Sequence, residues 1–160
     1  AAAGLLWLWW RDRLGALPER AVGERGPWLG SAAGLGVGLL GAQLMAWASR
    51  RQAKMRELEA SARFVFQKAS DSAAIVFVLV GAIAEELFFR LAVLDVFGLL
   101  GSVAVSVVVN SSIAGWPWLP LALVHALALG LLVQNGFGLL GSTTASAVMN
   151  YLNLRRIQCR

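Results

Sequence analysis

Apolar runs of membrane-spanning length alternate along this chain with short polar breaks. Residues 1–27 read as an N-terminal interfacial segment. Its opening stretch, AAAGLLWLWW, is too short to span, because a spanning helix needs about 20 residues. It is expected to be the end of a further helix, with Trp7, Trp9 and Trp10 at the membrane–water boundary. The polar remainder sets Arg11, Arg13, Arg20 and Arg25 against Asp12, Glu19 and Glu24, and Pro18 with several glycines argues against a continuous helix. The first full span is predicted over 28–48. Residues 49–71 are polar, yet Met55, Leu58, Ala62 and Val65 or Phe66 recur at helical spacing, the pattern of an amphipathic helix on a membrane surface. A transmembrane core follows over 72–154, with spans near 72–100, 101–114, 121–133 and 137–154. The last three are separated by Trp116-Pro117-Trp118-Leu119-Pro120 and Gln134-Asn135-Gly136. Residues 155–160 form a basic tail. The pattern predicts an all-α, polytopic transmembrane helical bundle of about five spans plus one amphipathic surface helix.

Composition supports that reading. Of 160 residues, 58% are hydrophobic and 14% charged, with a mean hydropathy of +0.67, against about 25% charged residues in a typical soluble domain. So little polar surface excludes a water-soluble enzyme, and the same balance is the reverse of the signature of disorder. The lipid bilayer is therefore the first expected partner. The formal charge of +5 is read as membrane topology, and nucleic acid is not expected as a partner. With five spans in all, four of them after the connector, Arg50, Arg51, Lys54, Arg56, Arg63 and Lys68 of the connector fall on the same side as Arg155, Arg156 and Arg160 of the tail. That side is expected to be cytoplasmic, or stromal in a plastid. A bacterial plasma membrane and a plastid thylakoid membrane both fit. Ala1 in place of Met is the expectation for a processed or truncated chain. The single cysteine, Cys159, excludes an internal disulfide or a cysteine-based zinc site.

Polar residues inside spans are the informative ones. Gly30, Gly34 and Gly38, spaced by four, predict a face where a neighbouring helix approaches closely. Glu85 falls about 20 Å into a hydrocarbon core about 30 Å thick, where a charge costs about 2.5–3.5 kcal/mol. Glu86 and Arg90 are four residues apart with the acid first, so they can pair. Glu85 points about 100° away from Glu86 and must face a cavity, another helix or a proton. Such a carboxylate suits a general base acting on water; a buried charge pair that fixes helix packing is the alternative. His125 is the only histidine. It is either catalytic or hydrogen-bonded across an interface, with Ser111, Ser112 or Asn150 as candidate partners. Thr143, Ser146, Asn150 and Asn153 form one polar stripe on the last span, facing the bundle interior. Neither HExxH nor GxSxG occurs, and Gly141-Ser142 lacks a neighbouring base.

AEELFFR, with Glu85, Glu86 and Arg90, resembles the EExxxR motif of the CPBP family, the CAAX-protease and bacteriocin-processing (Abi) intramembrane endopeptidases. Asn135 to Leu140, followed by Ala145 to Asn150, resembles that family's turn, "GSL" segment and HxxxN helix. The likeness covers about residues 70–152. It implies a helical membrane protease in which Glu85 activates water, Glu86 and Arg90 support it, and Asn150 stabilises the oxyanion. Ser146 stands where HxxxN has its histidine. His125, in LALVH, resembles a displaced FxxxH with Leu121 in the aromatic position. A serine is neither a useful base at neutral pH nor a good transition-metal ligand, so no metal or other cofactor is expected.

Two functions of different class follow. In one, the chain is a catalytically degenerate pseudoenzyme, a binding or scaffold subunit among other membrane-protein subunits. In the other, it is an active endopeptidase using Glu85, His125 and Asn150. An ion or proton conductor through Glu85 and Asp95 is disfavoured, because no series of acids continues across the other helices.

Overall fold

The computed structural model describes Leu6, Trp9, Gly15 and residues 17–159. Trp7, Trp10, Arg11, Asp12 and Arg13 of the expected interfacial segment lie outside the described residues. Among the described residues the chain is helical throughout, with no strand. In chain order it forms α1 (Leu17–Val22), α2 (Pro27–Arg51), α3 (Ala53–Phe66) and α4 (Asp71–Glu86). A wider π-helical segment, Leu87–Val93, joins α4 to α5 (Leu94–Ala114). The 3-10 turn Trp116–Trp118 leads to α6 (Leu119–Leu132), and a second π-helical segment, Val133–Phe137, leads to α7 (Gly138–Gln158).

Local chemistry sets several boundaries. Pro27 opens α2 at a position where its missing N–H leaves nothing unpaired. Gln52 is extended (φ −113°, ψ 121°) and breaks α2 from α3. Ser70 caps α4, its hydroxyl accepting the Ala73 N–H at 3.3 Å, with Asp71 favourably placed in the first turn.

Among the described residues three stretches are long and apolar enough to cross a membrane: Pro27–Arg51, Asp71–Ser112 and Trp116–Gln158. That is fewer than the five spans expected, because at two of the anticipated boundaries successive helices abut across a kink with no loop between them. The second stretch, at 42 residues, would be about 63 Å long if straight, twice the hydrocarbon core, and it is not straight. Gly98 takes φ +66° and ψ −172°, a backbone region open to glycine and strained for other residues. Beyond it the chain reverses: Ser102 Oγ donates to the Phe89 carbonyl at 2.7 Å, although a straight helix would hold residues thirteen apart about 20 Å from one another. The third stretch reverses at Asn135, Gly136 and Gly138, so that Leu129 and Leu132 pack against Ala145.

The central seam lies between α2 and α7. Gly30, Gly34 and Gly38 are all buried. A Cβ on Gly38 would sit 2.7 Å from the Ala145 carbonyl oxygen and 2.8 Å from Val148 Cβ, and one on Gly34 would collide with the Gly141 carbonyl. The expected close-approach face is therefore used inside the chain. At one end of the bundle α1 is held by Arg25, whose Nε donates to the Asn135 carbonyl at 2.7 Å, and by the Arg20–Asp95 ion pair at 2.9 Å. At the other end α3 meets the end of α7 through the Glu59–Arg156 ion pair, and the start of α4 meets it through Asp71–Arg155. Connector and tail thus share one end. Outward-facing apolar side chains such as Trp28, Leu40, Val80 and Leu100 are well exposed, as a lipid environment requires.

Candidate functional site

The acids of α4 face two different surroundings. Glu86 is 1% exposed and points into the bundle. Its Oε1 accepts from Ser146 Oγ of α7 at 3.2 Å, and its Oε2 lies 3.8 Å from Arg90 Nε. Arg90, also buried, donates through Nη2 to the Ala126 carbonyl of α6 at 3.3 Å. One acid–base pair therefore ties α4, α6 and α7 together. Arg90 stands within the π-helical segment, whose wider turn re-aims side chains and is frequent at functional sites. Ser142, one turn before Ser146, is fully buried and donates to the Leu139 carbonyl of its own helix.

Glu85 turns away from this pair. It lines a cavity of about 390 Å³ shared with Asn150 and Asn153 of α7 and closed over by the apolar face of α3, with Met55, Leu58, Ala62 and Phe66. The amphipathic helix expected on the membrane surface is thus the roof of the site, with Met55 fully buried. Glu59, also on the cavity wall, has Arg156 as its ion partner. Glu85 has no hydrogen-bond partner among the described residues. An acid and two carboxamides in otherwise apolar walls can hold water, or a ligand that brings donors to them.

His125 stands apart from this group. It lines a second cavity of about 240 Å³, and Met45, Trp118 and Met149 border both cavities. Its Nε2 is buried without a hydrogen-bond partner among the described residues. None of Ser111, Ser112 or Asn150 serves it; Ser112 instead donates to the Val109 carbonyl, a bond within its own helix that sequence spacing gives no means of ranking. The structure thus places Glu85 and Asn150 on one cavity wall and joins Glu86 with Arg90 and Ser146; His125 has a hydrogen bond to none of them, although it lies within electrostatic reach of Arg90.

The polar stripe of α7 is buried at Ser146 and Asn153 and half-buried at Thr143 and Asn150, with Asn150 on the cavity wall. Asn153 stands on the cavity wall as a member of the inward-facing stripe, whereas the convergence of Met45, Met55 and Met149 there was not anticipated. The only signal was that the chain holds three methionines. Among the described residues no three of His, Cys, Asp and Glu converge, so the residues beside Glu85 do not fit a metal of the His/Glu type.

Comparison with protein-family models, with curated proteins and with solved structures gave no match.

Proposed function

We propose that the chain is an integral membrane protein with a CPBP-like core whose proteolytic chemistry has degenerated, and that it acts as a binding or scaffold subunit of a larger membrane assembly. The supporting observation is the Ser146–Glu86 hydrogen bond at 3.2 Å. The position that the family resemblance assigns to a histidine holds a hydroxyl already donated to the supporting acid. Glu85 consequently faces its cavity without an imidazole. In this reading the first long apolar stretch crosses once and the other two cross twice each, folding at Gly98 and at Asn135–Gly138, for five crossings in all. The end carrying α3 and the tail is cytoplasmic or stromal, as its basic residues favour. Because the glycine face of α2 is used internally, a partner subunit meets the exposed tryptophans Trp28, Trp47 and Trp116.

The test is cleavage of membrane-embedded peptides by the purified chain in liposomes, wild type beside Glu85→Gln. The expected result is no cleavage that depends on Glu85; Glu85-dependent cleavage overturns the reading. One observation favours the alternative, an active endopeptidase: Glu85 and Asn150 share a cavity large enough for water and a peptide carbonyl. That mechanism needs His125 to reach them past Met149 and Trp118, so His125→Ala would abolish cleavage along with Glu85→Gln.

A further inference from the structure

The cavity beneath α3 has a composition that selects a ligand. All three methionines of the chain, Met45, Met55 and Met149, stand on its wall. Methionine side chains are unbranched and polarisable, and adapt to ligands of varied outline. Phe66 and Phe77, their ring centroids 5.0 Å apart, and Trp118 add aromatic surface on the same cavity, suited to an apolar body and to a cation. The polar groups are few: Glu85, Asn150 and Asn153, with Glu59 held by Arg156. All of these can accept a hydrogen bond, and Glu85 alone brings an acid that makes no ion pair of its own among the described residues, the nearby Arg90 being paired with Glu86. A volume of about 390 Å³ lies in the range of about 300–1,000 Å³ typical of small-molecule sites.

We infer that this cavity is a binding site for a lipophilic amine, an apolar body ending in an ammonium group that pairs with Glu85 while Asn150 and Asn153 accept its remaining N–H groups. An acid at this depth is costly without a countercharge, and an ammonium supplies one. A lipid acyl chain would fill the apolar volume and leave the acid as it was; a carboxylate-headed ligand would add a second negative charge. The assignment deepens the proposed binding role, since it uses Glu85 to hold a ligand.

The experiment uses the full chain in lipid nanodiscs and three probes with one tail and different heads: decylamine, decanol and decanoate. Saturable binding is expected for decylamine, weaker by about tenfold or more for decanol, as befits loss of a charge-assisted bond, and undetectable for decanoate. Glu85→Gln should erase the preference for amine over alcohol. Gly81 lines the cavity, and a Cβ built on it meets nothing within 4 Å. Gly81→Leu should therefore fill the cavity without disturbing the bundle and remove saturable binding of decylamine and decanol alike. Equal binding of all three heads, a preference that survives Glu85→Gln, or binding that survives Gly81→Leu would each overturn the inference. Peptide cleavage on the same samples separates the two readings. Glu85-dependent cleavage counts against the degenerate-core reading, whereas absence of both cleavage and amine preference counts against the amine site alone.

Discussion

Ser146 of α7 and Glu86 of α4, sixty residues apart in the chain, are joined at 3.2 Å in a place where both are almost wholly buried. The bond fixes the acid that supports Arg90 and sets the rotation of α4 that turns Glu85 into the cavity. Ser146→Ala removes the donor and leaves a buried carboxylate oxygen short of a partner, which costs about 1–3 kcal/mol. SDS-titrated unfolding in mixed micelles should show that loss. Ser146→His, the substitution that restores the residue of the resembled motif, should destabilise further, because a ring must enter a site that is 0% exposed.

The Glu86–Arg90 pair makes a second, non-additive prediction. Arg90→Met strands the Glu86 carboxylate inside the bundle and should cost about 3–5 kcal/mol, as breaking one half of a buried pair does. Adding Glu86→Gln to that variant removes the stranded charge and should recover part of the loss. A double-mutant cycle measured by unfolding checks this; strictly additive costs would show that the two side chains act independently.

Much of this arrangement is legible in the sequence. Glu86 and Arg90 sit at helical pairing distance, and the spacing of Gly30, Gly34 and Gly38 gave away the close face of α2, because local periodicity carries that information. The number of continuous stretches was not legible. A glycine in an apolar run, such as Gly98, looks the same whether it continues a helix or reverses it, and only its φ of +66° decides. The position of His125 was equally hidden. Its separation from Glu85 depends on how α6 packs, with Met45, Trp118 and Met149 falling between, and these are long-range contacts that no motif encodes. The seat of α3 was half legible: its apolar face was visible in Met55, Leu58 and Ala62, and its role as a roof was not, since a membrane surface and a protein cavity draw the same stripe.

Gly98 and Gly81 form a matched pair for testing the fold of the second apolar stretch. Neither has any atom within 4 Å of a built Cβ, so steric crowding distinguishes nothing between them. Gly98→Ala forces a side chain into a backbone region that essentially only glycine occupies and should cost about 1–3 kcal/mol. Gly81→Ala lies in the regular helix α4 and should be neutral or stabilising by up to about 1 kcal/mol. Thermal unfolding in detergent compares the two directly. If Gly98→Ala proved as well tolerated as Gly81→Ala, the reversal at Gly98 within α5 would be wrong.

The ion pairs at the α3 end should separate from the glycine seam in the opposite direction from their appearance. Asp71–Arg155 is conspicuous, but its side chains are 70% and 38% exposed, and pairs of that kind contribute about 0–1 kcal/mol; Asp71→Asn should leave unfolding nearly unchanged and salt should matter little. Gly34 makes no polar contact of note, yet any side chain there collides with the Gly141 backbone and approaches Thr144 Cβ at 3.0 Å. Backbone cannot yield as a side-chain tip does, so Gly34→Leu should exceed the usual overpacking cost of about 1–3 kcal/mol and part α2 from α7. Cysteines placed at Gly41 and Met149, where a built Cβ lies 3.8 Å from the Cβ across the seam, a disulfide spacing, report the parting: cross-linking expected in the parent chain and lost with Gly34→Leu. Retention of the cross-link with unchanged stability would mean that the two helices do not pack through this glycine face.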